Sequence, residues 1–262
     1  MKFSELDTKM RVFETAHDHQ VLPGINVVVR LDGRSFTKLT KETLNLERPF
    51  DPFFKGVMTS VVKHLMTDSG VRVIYGFHES DEISLLLHPE DELFGRKERK
   101  LNSILAGEAS AYISGVLARL AVFDCRVCQL PTQQNVTDYF RWRQEDAARN
   151  ALTAHCYWAL RAKRDMGANQ ATDALEGLGS SEKNELLFQL GINFNDLPLW
   201  QKRGVGLYYW DTVKPGFNPK KQEATVTTRR SLIVNEELPM RDEYNEFVLK
   251  LYREATQKPE AE

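Results

Sequence analysis

Cysteine and long apolar runs are both scarce in this chain. Its three cysteines are too few for a framework of paired disulfides, which favours a reducing compartment. No segment approaches the ~18 consecutive apolar residues of a membrane helix, and residues 1–7 lack the hydrophobic run of a signal peptide. These absences predict a soluble, cytoplasmic protein with no membrane partner.

An excess of basic residues is also missing. The 35 Lys and Arg residues are balanced by 37 Asp and Glu residues, so the formal net charge is −2. A protein held to nucleic acid by charge alone is usually basic, so any nucleic acid must bind a local patch. The 262 residues are 42% hydrophobic, which is enough for one or two domains with a sizeable core and no disulfides.

Hydrophobic patterns predict the order strand, helix, strand, strand, helix, strand in the first half. An amphipathic helix at 4–20, capped by Ser4, precedes them. The predicted strands are 25–31, 71–77, 83–87 and 121–130, and the predicted helices are 51–67 and 96–120. This order is that of a split βαβ unit, so we expect an α+β fold with a ferredoxin-like antiparallel sheet and helices on one face.

The second half of the chain is predicted to be largely helical. The pattern indicates a long helix at about 136–164, a short helix from about 180, a hairpin formed by 205–211 and 224–234, and a last helix at 241–256. The predicted organisation is therefore a core at 1–130 and a helical and hairpin extension at 131–262, packed on it as one compact unit.

Two carboxylates stand at matching ends of the predicted strands. Asp32 follows the first strand, and Asp81 lies in the tight connection between the second and third strands. In the split βαβ order these strands are neighbours, so both side chains should meet at one edge of the sheet. Paired carboxylates there can hold two Mg²⁺ ions roughly 3.5–4 Å apart for phosphoryl transfer. Each motif alone is more typical of an ordinary polar turn, and only their joint position at the ends of the split βαβ strands makes a metal site as plausible as two such turns.

Several further motifs accompany these carboxylates. They are Arg30-Leu-Asp-Gly-Arg34, Tyr75-Gly76 with Ser80-Asp81-Glu82, Trp142-Arg-Gln-Glu-Asp146, Tyr157-Trp158-Ala159-Leu160, Lys183-Asn184-Glu185-Leu-Leu-Phe188, and Ile192-Asn193 ahead of Leu197-Pro198. In this order, over roughly residues 1–235, the chain resembles the tRNA-histidine guanylyltransferases and their guanylyltransferase-like relatives, the 3′–5′ nucleotide polymerases. The resemblance implies a core like the palm of ordinary polymerases.

The resemblance also implies roles for individual residues. The implied ligands of two Mg²⁺ ions are the side chains of Asp32 and Asp81 and the carbonyl of Gly33, and Glu82 is an implied supporting catalytic acid. The implied nucleotide-binding residues are Asp32, Gly33, Arg34, Ser35, Phe36, Thr37, Ser80 and Asp81, with Arg48 toward the phosphates. The implied contacts of tRNA or of an activating nucleotide are Arg30, Arg96, Lys100, Arg143, Asp146, Asn150, Lys183 and Asn184. Without the resemblance, the basic turn at 96–100 and the residues at 183–184 are typical of solvated helix starts.

The implied function is a Mg²⁺-dependent nucleotidyltransferase. It would add nucleotides from GTP and other NTPs to the 5′ end of tRNA in the 3′–5′ direction, after ATP activates the 5′ phosphate, and it would act as a homotetramer. Two alternatives of other kinds stay open: a nucleotide cyclase on a similar sheet, and a non-catalytic RNA-binding protein on a ferredoxin-like fold. The second would need exposed aromatic residues on the central strands, where this chain has aliphatic ones.

One departure from the family's pattern bears on the choice of tRNA. Enzymes dedicated to histidine tRNA carry a histidine that contributes to tRNA identity soon after the Trp-Arg-Gln block, and this chain has Ala148 there. A methyl group cannot stack on a base or form a hydrogen bond with it. The sequence therefore favours the branch that repairs 5′-truncated tRNAs by template-dependent addition, with a histidine-tRNA-specific guanylyltransferase as the alternative.

Overall fold

A six-stranded antiparallel sheet forms the centre of the protein. The structure is a computed structural model, which describes residues 1–218 and 222–257. The strands are β1 (Asn26–Gly33), β2 (Val73–Glu79), β3 (Glu82–Leu87), β4 (Phe123–Leu130), β5 (Val205–Asn218) and β6 (Glu223–Asn235). The helices are α1 (Phe3–Thr15), α2 (Phe36–Lys38), α3 (Pro52–Thr67), α4 (Glu98–Leu117), α5 (Gln133–Lys163), α6 (Ala168–Asp173), α7 (Ser180–Gln189), α8 (Leu199–Arg203) and α9 (Arg241–Gln257).

The strand order across the sheet is β4-β1-β3-β2-β5-β6. Its first four strands have the order of the split βαβ unit, with β1 between β3 and β4. The predicted ferredoxin-like, palm-like core is thus confirmed. The hairpin of the second half extends the same sheet, because β5 pairs with β2. One sheet therefore includes strands from both halves of the chain. The predicted division into two parts near residue 130 stays a prediction.

Helices cover both faces of this sheet, not one as predicted. Helices α3 and α4 pack on the face that carries Val29, Leu31 and Leu85. Helices α5 and α9 pack on the opposite face, against Val28 and Leu86. The prediction is correct for the helices of the first half, and it missed that the second half returns to cover the other face. Since helices cover both faces of the central strands β1, β3 and β2, these strands offer no open platform for RNA, which contradicts the non-catalytic alternative.

The ends of several elements differ from the sequence-based expectation. Helix α1 begins at Phe3, so Ser4 lies inside the helix and is not its cap. Asp51 does cap α3, accepting hydrogen bonds from the backbone N–H groups of Phe53 and Phe54. The hairpin strands run beyond the predicted 205–211 and 224–234. The short helices α6 and α8 were not predicted, because six and five residues are too few to show a helical period.

The second half of α5 extends beyond the sheet and has a hydrophobic cluster of its own. Leu152, Cys156 and Leu160 pack there against Leu175 of the segment after α6 and Leu187 of α7. A cleft of about 1180 Å³ separates this cluster from the edge of the sheet. Within the described ranges, 1–218 and 222–257, no helix is both long and apolar enough to cross a membrane.

Candidate active site

Asp32 and Asp81 lie together at one end of the cleft. Asp32 is the penultimate residue of β1 and stands opposite Glu82 of β3, while Asp81 belongs to the two-residue turn between β2 and β3. The backbone N–H of Gly33 donates a hydrogen bond to the carbonyl of Asp81 at 3.1 Å, which fixes the strand end against the turn. Both carboxylates line the cleft. The structure thus brings together the two residues on which the predicted metal site depends.

Two arginines hold the carboxylate of Asp32. The Nε of Arg30 donates to Oδ2 of Asp32 at 3.0 Å, and the Nη2 of Arg126 lies 2.9 Å from the same oxygen. Arg126 of β4 stands directly across from Arg30 in the strand register, so its side chain emerges on the same face. Arg126 was not among the site residues predicted from the sequence. The register of a predicted β1–β4 pair would have revealed it.

Glu82 is the centre of a second ion-pair network. Arg143 of α5 donates one hydrogen bond to each carboxylate oxygen of Glu82, at 2.6 and 2.7 Å. The same guanidinium donates to Asp146 at 3.1 Å, and Asp146 also accepts from Arg149 and Asn150. Bidentate pairing of this kind is directional and strong. The ion pairs of Arg143 therefore join the part of α5 that borders the cleft to the edge of the sheet that carries the carboxylates.

The carboxylates at this edge crowd one another in a partly buried site. Burial raises the pKa of Asp81, and the charge of Asp32 raises it further. Burial also raises the pKa of Glu82, against the opposing effect of Arg143. Glu79, which the sequence analysis did not single out, has a pKa raised to about 8 by burial and by its neighbour Glu82. The site thus brings together carboxyl groups whose ionised forms are disfavoured, and a bound cation would stabilise those ionised forms.

The loop after β1 begins with a close approach that only glycine permits. A Cβ on Gly33 would lie 2.5 Å from the ring of Phe36, which is itself buried against Phe123. Ser35 follows with φ +62°, and Ser80 on the facing turn has φ +48°. Two non-glycine residues in the left-handed region beside one cleft mark a locally strained backbone.

The predicted nucleotide-binding residues divide between the cleft and its surroundings. Thr37 and Ser80 line the cleft beside the carboxylates, and both also border a smaller adjoining cavity of about 90 Å³. Arg34 and Ser35 are exposed. Arg48 also lines the cleft, but its guanidinium lies 4.6 Å from the ring centre of Trp158 and donates to the carbonyl of Lys41.

The residues of the C-terminal motifs lie at different distances from the cleft. Asn150 lines it, and Lys183 borders it through a hydrogen bond to Thr153, a lining residue. Asn184 is exposed and donates to the carbonyl of Ser180 within its own helix. A contact of Asn184 with RNA or nucleotide therefore stays a prediction.

Arg96 and Lys100 lie at the far end of the sheet. The guanidinium of Arg96 donates to five backbone carbonyls, those of Val21, Leu22, Ile25, Pro89 and Asp91. Ile25 precedes β1 and Asp32 is seven residues further along it, which is roughly 20 Å of extended strand. Within one chain neither residue reaches the carboxylates. In this structure Arg96 fastens loops, and a phosphate contact of either residue stays a prediction.

Comparisons with known proteins agree with this arrangement. The family model described as tRNAHis guanylyltransferase matches residues 7–131, and the model of the Thg1 C-terminal domain matches residues 134–248. A probable tRNA(His) guanylyltransferase of Drosophila melanogaster is 32% identical, over 82% of this chain and 77% of its own length. The tRNA(His) guanylyltransferase of Debaryomyces hansenii is 34% identical, over 80% and 84%.

Solved structures show the same relationship. The chain is similar to a bacterial tRNA(His) guanylyltransferase-like protein in complex with ATP, with a TM-score of 0.74 and 27% identity over 94% of this chain and 99% of that one. The tRNA(His) guanylyltransferase of Saccharomyces cerevisiae gives a TM-score of 0.70 and 29% identity over 78% and 92%. Fold, site and relatives together define a nucleotidyltransferase. The chain belongs to the tRNAHis guanylyltransferase, or Thg1, family.

Proposed function

We propose that this enzyme adds nucleotides to the 5′ end of tRNA in the 3′–5′ direction, after ATP activates the 5′ phosphate. The observation that carries the proposal is the meeting of Asp32 and Asp81 at the head of a large cleft, in a chain of this family. Relatives named for tRNA(His) and structures of a similar protein with ATP and with GTP support tRNA, ATP and GTP as its substrates.

We also propose that two Mg²⁺ ions bind at this edge. The donor set consists of hard oxygen atoms from Asp32 and Asp81, with the carbonyl of Gly33 beside them, and such atoms suit Mg²⁺. In the described part of the chain, no three side chains of His, Cys, Asp or Glu form a metal-binding group. This fits a cation that binds to one or two carboxylates and takes its other ligands from water and substrate phosphates. When bound, the ions would activate the attacking hydroxyl and neutralise phosphate charge.

Three arginines of the protein hold the carboxylates of this site in fixed positions. Arg30 and Arg126 hold one oxygen of Asp32 and fix the orientation of its carboxylate. Arg143 holds Glu82 in place by two hydrogen bonds, so this third carboxylate stays beside the pair. Preorganised groups of this kind lower the reorganisation that the reaction requires.

For the choice of tRNA we propose template-dependent repair of 5′-truncated tRNAs. Ala148 is half-buried on α5 and carries only a methyl group, so position 148 cannot read a base edge by a hydrogen bond. Pairing of the incoming nucleotide with the opposite strand of the tRNA would then supply the selectivity. The alternative is the function for which the relatives are named, guanylylation of histidine tRNA.

The decisive experiment compares two substrates with the purified enzyme. One is a 5′-truncated tRNA that does not accept histidine, and the other is a full-length histidine tRNA, both with ATP and NTPs. We expect efficient extension of the truncated tRNA, with each added nucleotide complementary to the template base. A strong preference for full-length histidine tRNA, or addition that ignores the template base, would establish the alternative. No extension of either substrate would refute the proposed reaction.

A homotetramer is part of the same proposal. Arg96 and Lys100 lie roughly 20 Å from the carboxylates of their own chain, so any phosphate contact of theirs would serve the cleft of another copy. Shared sites of this kind would also suit a chain without excess positive charge. Analytical ultracentrifugation tests this directly: a tetramer of 30.1 kDa subunits is expected, and a monomer at micromolar concentration would refute it.

A further inference from the structure

The far end of the cleft has an aromatic wall that the proposed chemistry does not use. Trp158 and Tyr157 of α5 line the cleft. The guanidinium carbon of Arg48 lies 4.6 Å from the ring centre of Trp158, and that of Arg161 lies 5.4 Å from it. We call Trp158, Arg48 and Arg161 the Trp158 platform. It is formed by a helix from one side of the cleft and by the loop before α3 from the other.

The two arginines of this platform differ in their partners from the arginines of the catalytic edge. Over residues 1–218 and 222–257, neither Arg48 nor Arg161 forms an ion pair with a carboxylate. The arginines near the catalytic edge differ, because Arg30, Arg126 and Arg143 are each paired with an acidic residue. Two cations that face a cleft without an acidic partner are available to a negatively charged ligand.

The platform is also separate from the catalytic edge. Trp158 is fifteen residues beyond Arg143 on the same helix, which places the two about 22 Å apart along the axis. A ligand group at the platform is therefore a different part of the substrate from the phosphate at Asp32 and Asp81. Aromatic rings and arginine planes are the surfaces on which proteins stack unpaired bases.

We propose that the Trp158 platform stacks a nucleobase of a substrate, with Arg48 and Arg161 contacting its phosphates. This inference rests on the proposed function and specifies a second contact within the same cleft. The ligand chemistry is a base attached to phosphate, which either free ATP or the 5′-terminal part of a tRNA could provide. The two guanidinium groups already pack against the ring of Trp158, so an incoming base would add to an existing stack of flat groups.

Tryptophan fluorescence tests binding without requiring turnover. A base that stacks on Trp158 should quench its emission, so ATP or 5′-phosphorylated tRNA should quench the wild-type protein, and Trp158→Phe should remove that quenching. Trp210 offers a matched control, because Lys250 lies 4.7 Å from its ring centre and it lines neither cavity near the carboxylates. Trp210→Phe should keep the quenching. Quenching by ATP alone identifies free nucleotide as the source of the base, and quenching by tRNA alone identifies the tRNA end.

Kinetics provide the second test. Trp158→Ala should raise the KM for the stacked substrate about tenfold, with kcat changed less than twofold, because stacking on one aromatic residue has about this effect on binding. Arg161→Gln should raise the same KM, whereas Trp210→Ala and Arg164→Gln should not. If Trp158→Ala fails to fold, as judged by circular dichroism, Trp158→Phe and Arg161→Gln carry the test.

Unchanged quenching in Trp158→Phe together with unchanged KM in Arg161→Gln would refute the platform and leave the proposed function standing. A wild-type enzyme that extends no tRNA would refute the proposed function, while the fluorescence titration would still report whether a nucleotide stacks on Trp158. The two failures are thus distinguishable.

Discussion

Arg143 and Glu82 form a bidentate ion pair, with distances of 2.6 and 2.7 Å, that joins the long helix α5 to the turn carrying the carboxylates. The pair is largely buried on both sides. It connects a helix of the second half of the chain with a strand of the first. The cleft is therefore a product of both halves, and the carboxylate edge depends on a residue more than sixty positions away in sequence.

Replacement of Arg143 should cost both stability and activity. Arg143→Ala removes both hydrogen bonds to the buried Glu82 carboxylate and leaves it only Arg30 at 3.9 Å, so we expect the free energy of unfolding to fall by about 3 kcal/mol. Nucleotide addition should fall as well, because Glu82 loses its fixed position. Urea denaturation and a tRNA extension assay measure the two effects.

Arg141 provides the matched control, two residues earlier on the same helix. It pairs with Glu145 and Asp242 at the surface, where ion pairs contribute little. Arg141→Ala should behave like the wild type in both assays. Equal behaviour of the two arginine variants would contradict the role given to Arg143.

Removal of either paired carboxylate should abolish nucleotide addition. Asp32→Asn and Asp81→Asn keep the side-chain shape and delete the charge that a dication site requires. Asp124→Asn is the control, because exposed Asp124 also pairs with Arg126 but does not line the cleft. Circular dichroism should show folded protein in all three variants. EDTA should likewise stop wild-type extension and added Mg²⁺ should restore it; near-normal activity of either Asp32→Asn or Asp81→Asn would refute the assignment.

Alanine variants of Arg96 and Lys100 should distinguish a structural role from phosphate binding. Arg96→Ala removes hydrogen bonds to five carbonyls, so thermal unfolding should show a loss of about 3 kcal/mol in stability. Lys100→Ala should leave stability unchanged, and it should weaken tRNA use and flatten its salt dependence if Lys100 contacts phosphate. An unchanged salt dependence of tRNA use in Lys100→Ala would show that this lysine contacts no phosphate.

The core topology could be predicted from sequence because each of its strands has a distinct local pattern. β-branched runs such as Val27–Val29 mark buried strands, and the order of strands and helices then leaves few possible topologies. The convergence of Asp32 and Asp81 follows from that topology alone, since both stand at strand ends that the split βαβ unit brings together.

Long-range contacts could not be predicted in the same way. The bond between Arg143 and Glu82, and the covering of the second sheet face by α9, depend on how the two halves pack, which periodicity does not encode. Arg96 is a second example. The basic run alone is typical of a solvated helix start, whereas the guanidinium donates to backbone carbonyls of two separate segments, 21–25 and 89–91, contacts that only the tertiary fold determines.

A buried neutral histidine should make stability depend on pH. The ring of His78 is buried beneath the catalytic edge, where its Nε2 lies 2.9 Å from Oγ1 of Thr59. Burial, and then the charge of Lys55, lowers the pKa of His78 from 6.5 to about 3. Between pH 6.5 and about 3, the unfolded chain therefore binds a proton at His78 that the folded protein does not bind. His78 thus lowers the free energy of unfolding as the pH falls below 6.5.

The size of this effect can be measured against a variant that does not titrate. At pH 5.5 the unfolded imidazole is mostly protonated, which corresponds to a loss of roughly 1 kcal/mol relative to neutral pH. His78→Gln should reduce the fall in the free energy of unfolding between pH 7.5 and 5.5 by that amount, as measured by urea denaturation. His17→Gln, which removes an exposed imidazole, should leave the fall as it is in the wild type. If the stability of both variants falls in parallel with that of the wild type, then His78 binds its proton in the folded state as readily as in the unfolded state. The prediction that the buried ring stays neutral would then be wrong.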